Sequence, residues 1–247
     1  MPDPQRDAWH ALMDLHDKMP TGWALVGGQM VHLHCAERGV APTRPTNDAD
    51  AAVDVRADPR ALATFTSVLR ELGFEPAGTS PQGYQHRWVR QRAAIDVLIP
   101  RGLREASPVR LTVTGATTIE TFGAQQAVDR AEGVGVTVEP REGRVRRPTL
   151  LGALVGKAAA MRILVDPRSS RHLHDFATLT TLIRPSDRID TAGPRDREHL
   201  NNMLGLMTKD ASWKSIDGAM DGVSRLKLAL SRDEEASTHR RRSPWVR

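Results

Sequence analysis

Three scarcities narrow the class of protein. A single cysteine, Cys35, among 247 residues excludes an internal disulfide framework and a zinc site built from cysteines. No apolar run approaches the roughly 18 residues of a membrane-spanning helix. The first twenty residues carry mixed charge and lack the apolar segment of a secretory signal. We therefore expect a cytoplasmic protein that makes no use of a membrane.

Two common glycine-rich nucleotide motifs are also absent. Neither G-x-G-x-x-G nor G-x-x-x-x-G-K occurs, so a dinucleotide site of that type and a P-loop are not indicated. The chain does have Gly27 and Gly28, directly after the apolar run WALV. Glycines at a helix N-terminus allow a phosphate to approach the free N–H groups closely. Taken alone, the pair fits a tight strand-to-helix turn better.

Three aspartates strengthen the case for phosphate chemistry. Asp48 and Asp50 are two residues apart at the start of the predicted strand ADAAVDV, so both carboxylates project from one face. Asp96 interrupts the predicted strand AAIDVLIP, whose Ile95 and Val97 look buried. Paired carboxylates suit Mg²⁺ together with substrate phosphates, and a third on a neighbouring strand suits a two-metal site. The alternative interpretation is a loop residue and two exposed strand positions.

Periodicity predicts an α+β protein in two parts. Residues 1–147 are predicted to form a small mixed sheet with flanking helices, including a strand at VRLTVT (109–114) and a hairpin with REG (141–143) at its tip. Residues 148–236 are predicted to be helical. The arginine-rich end, 237–247, is predicted to be a disordered basic tail that accounts for much of the net charge of +5.

The segments LVGG, RPTNDAD and IDVLI, in that order, resemble the nucleotidyltransferases of the DNA polymerase β superfamily. The form Arg-x-Thr-x-Asp-x-Asp, starting at Arg44 and including Thr46, is similar to the AbiEii-type toxins of phage-defence and toxin–antitoxin systems. Lys157, in a small-residue helix, and Asp175, before an apolar helix, match two further marks of that subfamily. His174 stands where those proteins usually have a lysine. The resemblance covers about residues 20 to 182.

This resemblance implies a fold and an activity. The fold would be the polymerase β-like nucleotidyltransferase fold followed by a helical domain. Asp48, Asp50 and Asp96 would hold two Mg²⁺ ions. Gly27, Gly28, Arg44, Thr46 and Lys157 would bind the NTP, and Asp175 would orient Lys157 or the acceptor hydroxyl.

The resemblance further implies transfer of an NMP to an RNA acceptor such as tRNA, and a cognate antitoxin partner. Two alternatives remain open. A small-molecule nucleotidyltransferase of the aminoglycoside-modifying kind would have an acid-rich acceptor cleft, whereas a basic cleft favours RNA. A nucleotide-binding regulator without turnover is disfavoured by the intact set of aspartates, since it would not need Asp96.

Overall fold

The computed structural model describes residues 1–56, 58–102, 109–161 and 169–242, without the side chains of 169 and 232–242. The helices are α1 (Asp3–Lys18), α2 (Gly27–Glu37), α3 (Ala61–Glu71), α4 (Ala124–Asp129), α5 (Leu150–Ala160), α6 (Ser169–Thr181), α7 (Pro194–Lys209) and α8 (Ala219–Arg242). The strands are β1 (Trp23–Val26), β2 (Ala49–Val53), β3 (Glu75–Pro76), β4 (Arg87–Arg90), β5 (Ala93–Pro100), β6 (Ile119–Thr121), β7 (Ala131–Val138) and β8 (Arg141–Pro148). Short 3₁₀ turns occupy Pro185–Asp187, Ile189–Thr191 and Ser212–Ser215.

The first half of the chain builds a mixed sheet. Its strand order is β1-β2-β5-β4-β3, and β6 pairs with the C-terminal end of β5. The central pair β2 and β5 is parallel, whereas β1 and β4 run antiparallel to their neighbours. This confirms the prediction of an α+β protein with a small mixed sheet and flanking helices.

Strand β5 shows how the sequence pattern determines which side chains are buried. Ala93, Ile95, Val97 and Ile99 are buried, and the residues between them are half-buried. Successive side chains of a strand point to opposite faces, so the apolar set supplies the core. Asp96 belongs to the other set and faces the cleft described below.

Two local predictions were wrong. Of the predicted strand 109–114, the described residues form loop and turn, and the strand in this region is β6. Val109, Leu111 and Val113 are all exposed, whereas Arg110 and Thr112 between them are buried, so the apolar residues of this alternation do not face the core. The hairpin β7–β8 turns at Glu139 and Pro140 instead of at REG, because Arg141, Glu142 and Gly143 are already part of the ladder and pair with Val138, Thr137 and Val136.

The second half of the chain is helical and shares its core with the sheet. Thr149 caps α5, its hydroxyl accepting a hydrogen bond from the Gly152 N–H. Buried apolar residues of both halves form one continuous cluster, from Ala8 to Leu230. Helix α8 is described to Arg242, so the predicted tail lies partly outside the described residues and its disorder stays a prediction. Within the described ranges, no helix is both long and apolar enough to cross a bilayer.

Candidate active site

The three aspartates singled out from the sequence lie together. Asp50 of β2 is the direct neighbour of Asp96 in the parallel ladder with β5, and Asp48 lies two residues before Asp50, just outside the strand. Because residues paired in register share one face of a sheet, their carboxylates project into the same space. We call Asp48, Asp50 and Asp96 the carboxylate cluster.

Arg87 of β4, which the sequence analysis missed, connects two members of this cluster. Its Nε donates to Asp96 Oδ1 at 2.8 Å, and its Nη2 donates to Asp96 Oδ2 at 2.8 Å and to Asp48 Oδ2 at 2.6 Å. Arg87 and Asp96 are register partners in the antiparallel ladder. The hydrogen bonds to Asp96 and Asp48 and the negative charges of these two carboxylates raise the pKa of the Arg87 guanidinium above its ordinary value. Arg87 is therefore a permanent positive charge in the site.

Asp50 lacks such a partner among the described contacts, so no neighbouring arginine compensates its charge directly. Burial raises its pKa to about 7, and the negative charges of Asp96 and Asp48 act in the same direction, while Lys157 partly offsets them. The carboxylate is closely packed against the N-terminus of α2. A Cβ on Gly27 would lie 1.7 Å from Asp50 Oδ2, and Gly27 has a φ of +69°. Glycine is therefore required here by both space and backbone conformation.

Gly28 likewise leaves room for side chains of the loop that precedes β2. A Cβ there would lie 2.9 Å from both Thr46 Oγ1 and Arg44 Nη2. The glycine pair thus lets the carboxylate of Asp50 and the side chains of Arg44 and Thr46 approach the start of α2. All five of these residues line the cleft.

Lys157, Asp175 and Arg44 form a buried ion network across the two halves of the chain. Lys157 Nζ of α5 donates to Asp175 Oδ2 of α6 at 2.6 Å, and Arg44 donates to both oxygens of Asp175 at 2.8 Å. The side chains of Asp175 and Lys157 are only 2% and 6% exposed. Burial by itself would raise the pKa of Asp175, but the charges of Lys157 and Arg44 and their hydrogen bonds lower it to about 2.

The backbone of the loop that carries Arg44 is held by a chain of hydrogen bonds from helices α1 and α2. His32 Nε2 lies 2.7 Å from the carbonyl oxygen of Arg44, and Gln5 Nε2 lies 3.1 Å from His32 Nδ1. The carbonyl requires a donor, so Nε2 carries the proton and Nδ1 accepts from Gln5. Desolvation by burial lowers the pKa of His32, which favours this neutral form. His34 bonds instead to the carbonyl of Pro148, so the two histidines serve different elements.

These elements surround a cleft of about 780 Å³. One wall is made by α4 and α5, which approach each other closely because Gly123 has a φ of +83° and a Cβ there would lie 2.4 Å from the Gly156 carbonyl oxygen. This contact places Lys157, the next residue of α5, at the same wall. The basic side chains at the cleft are Arg44, Arg87, Arg92, Lys157 and Arg171, and the acidic ones are the carboxylate cluster.

The carboxylate cluster consists of oxygen ligands that suit divalent cations. In the described part of the chain, no three His, Cys, Asp or Glu side chains are already arranged around one point as metal ligands. However, Arg87 Nη2 lies within 2.8 Å of oxygens from two carboxylates, so a positive group already occupies the space between Asp48 and Asp96. Hard carboxylate oxygens are the ligands that Mg²⁺ prefers. Asp48, Asp50 and Asp96 are thus suited to hold such an ion.

Similarity to a solved structure supports the assignment of the fold. The chain is similar to an antigenic nucleotidyltransferase-like protein from Paracoccidioides brasiliensis, with a TM-score of 0.51 and 14% identity over 88% of this chain and 93% of that chain. The chain has a nucleotidyltransferase-like fold. It also aligns with ANT(2'')-Ia bound to adenylyl-2''-tobramycin, with a TM-score of 0.45 and 14% identity over 82% of this chain and 98% of that one. No protein-family model and no curated protein matches the sequence.

Sequence reasoning found the acids of this site and missed the arginine between them. Arg87 occurs in the stretch RWVR, where it looks like a solvent-facing residue of a strand. Its role follows from the antiparallel register of β4 with β5, which sets it opposite Asp96. The contact of Gly123 with Gly156 was missed for the same reason, because it joins segments more than thirty residues apart.

Proposed function

We propose that the protein is a Mg²⁺-dependent nucleotidyltransferase that moves an NMP from an NTP to a hydroxyl acceptor. The observation that carries this proposal is the convergence of Asp48, Asp50 and Asp96 at one cleft with Lys157 on its wall. A nucleotidyltransferase-like fold is consistent with it. The same fold could serve binding alone, so the activity rests on the side chains of the cleft.

The reaction would be an in-line displacement at the α-phosphorus. The acceptor oxygen forms a bond to the α-phosphorus as the bond to the bridging oxygen breaks, and pyrophosphate leaves. The proton of the acceptor hydroxyl passes to Asp96 and then to solvent. Mg²⁺ held by the carboxylate cluster would neutralise the triphosphate and stabilise the developing charge.

Other residues of the cleft would position the substrates. Lys157, held in place by Asp175, would present its ammonium group to the triphosphate as a point charge. Gly27 and Gly28 would leave the start of α2 open to the phosphates, and Arg44 and Thr46 would border the same space. Catalysis of this kind relies on positioning and charge compensation more than on covalent chemistry.

We further propose that the acceptor is RNA, with tRNA as the first candidate. The lining of the cleft has five basic and three acidic side chains, and divalent ions would neutralise the acidic ones. This balance favours a polyanionic acceptor over a polycationic one. The resemblance to AbiEii-type toxins implies the same acceptor and an antitoxin partner.

The test is incubation of the purified protein with each NTP labelled at the α-phosphate, Mg²⁺ and total RNA. We expect labelled RNA with one or two of the four nucleotides and none in EDTA. Label transferred to a small polyamine or aminosugar but not to RNA would favour the small-molecule alternative. NTP binding without transfer to either acceptor would identify a non-catalytic regulator.

A further inference from the structure

Arg87 occupies the site that the proposed function assigns to metal. Both oxygens of Asp96 and one oxygen of Asp48 accept hydrogen bonds from its guanidinium at 2.6–2.8 Å. A cation cannot sit between Asp48 and Asp96 while Nη2 is there. Asp96 also cannot receive the acceptor proton freely while both of its oxygens are engaged.

The free energy of replacing Arg87 by a metal ion depends on whether the metal enters alone or bound to a triphosphate. A bare divalent ion would displace the guanidinium from two carboxylates and give it no new anion. A metal–triphosphate complex brings both partners at once, because its cation can bind the carboxylates and its phosphate oxygens can accept the guanidinium hydrogen bonds. Arginine pairs with phosphate in the same bidentate manner as with carboxylate.

The position of Arg87 permits this exchange. Its side chain is 43% exposed, and the partner Asp48 is 42% exposed, so the guanidinium can turn toward solvent without crossing the core. Arg87 lines the same cleft as Lys157 and the glycine pair. The bonds that hold it are charge-assisted but partly solvated, which makes them breakable by a competing ion.

We infer that Arg87 is a resident counter-ion of the carboxylate cluster which transfers to the triphosphate when a metal–nucleotide complex enters. This inference rests on the proposed function for the nature of its ligand. Its consequence is selectivity: free metal binds weakly, whereas metal together with triphosphate binds well. Arg87 then binds the triphosphate in the loaded site and compensates the charge of the carboxylate cluster in the empty site.

The experiment measures binding of Mn²⁺ alone to the nucleotide-free full-length protein, by calorimetry or by the signal of free Mn²⁺ in electron paramagnetic resonance. In Arg87→Gln the competitor is gone, and we expect the Mn²⁺ dissociation constant to fall about tenfold. The matched control is Arg92→Gln, which removes the same charge from the same cleft. Arg92 bonds to Asp3 and Asp7, outside the cluster, so its loss should leave Mn²⁺ affinity within about twofold of wild type.

A second probe tests the loaded state without choosing a nucleobase. With saturating Mn²⁺, inorganic tripolyphosphate should bind Arg87→Gln about tenfold more weakly than wild type, because the transferred guanidinium is missing. Arg87→Lys keeps the positive charge but loses the paired N–H donors of the guanidinium. Its affinity for Mn²⁺ alone and its affinity for tripolyphosphate should both lie between those of wild type and Arg87→Gln. It also carries the test if Arg87→Gln fails to fold by circular dichroism.

Unchanged Mn²⁺ affinity in Arg87→Gln would overturn the inference, and so would an equal gain in Arg92→Gln, which would indicate a general effect of charge. Failure of the proposed function is separate. If wild-type protein transfers no nucleotide but Mn²⁺ affinity rises in Arg87→Gln, the counter-ion role of Arg87 is supported and the proposed nucleotidyltransferase activity is refuted.

Discussion

Replacing Asp175 by asparagine should destabilise the protein through a charge left without compensation. Asp175 is the shared anion of Lys157 and Arg44, at 2.6 and 2.8 Å. The Lys157 side chain is only 6% exposed, whereas the Arg44 side chain is 31% exposed and can turn outward. The cost therefore comes chiefly from the ammonium group of Lys157.

Removing one partner from a buried ion pair costs about 3–5 kcal/mol. Because Arg44 is partly solvated, we expect the lower end, about 3 kcal/mol, for the fall in the free energy of unfolding. For a chain of this length that corresponds to a drop in melting temperature of about 10 °C. The assays are urea unfolding followed by tryptophan fluorescence and calorimetric melting.

A double variant distinguishes this cause from simple loss of packing. Lys157→Met in the Asp175→Asn background removes the uncompensated charge and keeps similar volume, so it should recover about 2 kcal/mol. Asp190→Asn is the control, since its pair with Arg188 is 54–70% exposed and should be worth under about 0.5 kcal/mol. The reasoning is refuted if Asp175→Asn unfolds like wild type, or if Lys157→Met makes it less stable.

Three further predictions concern the site and its pH dependence. Asp50→Asn should lower NMP transfer at least about a hundredfold while the melting temperature holds or rises, because one of three mutually repelling carboxylates is removed; retained turnover would contradict the metal assignment. Gly27→Ala should cost about 1–2 kcal/mol from its positive φ and reduce NTP affinity, since its Cβ meets Asp50 Oδ2; an NTP titration and a melt on the same sample check both effects. Because the folded pKa of Asp175 is lowered to about 2, its stabilisation is complete above the unfolded value near 3.8, and about 2 kcal/mol is lost as pH falls from 4 to 2. That loss should be missing from the acid unfolding curve of Asp175→Asn, and an identical curve would refute the assignment.

The sequence by itself determined the elements that carry the acids. Apolar alternation in AAIDVLIP predicted β5 with the same limits as the structure, and it placed Asp96 on the face opposite Ile95 and Val97. WALV followed by Gly27 and Gly28 predicted a strand running into a helix, which is β1 and α2. These inferences hold because strand and helix periods are local, and a glycine at a turn is read from its immediate neighbours.

The tertiary structure decided which of these residues meet. The parallel pairing of β2 with β5 sets Asp50 beside Asp96, and the antiparallel pairing of β4 sets Arg87 opposite Asp96. Packing of α5 on α6 brings Lys157 to Asp175, and the loop before β2 adds Arg44 from more than a hundred residues away. Strand register and helix packing are collective outcomes of the whole core, so no local pattern in the sequence contains them. The same limit explains why the stretch 109–114 looked like a strand with an apolar face: its alternation of apolar residues is local, but in the fold Val109, Leu111 and Val113 are the exposed residues, and Arg110 and Thr112 between them are buried.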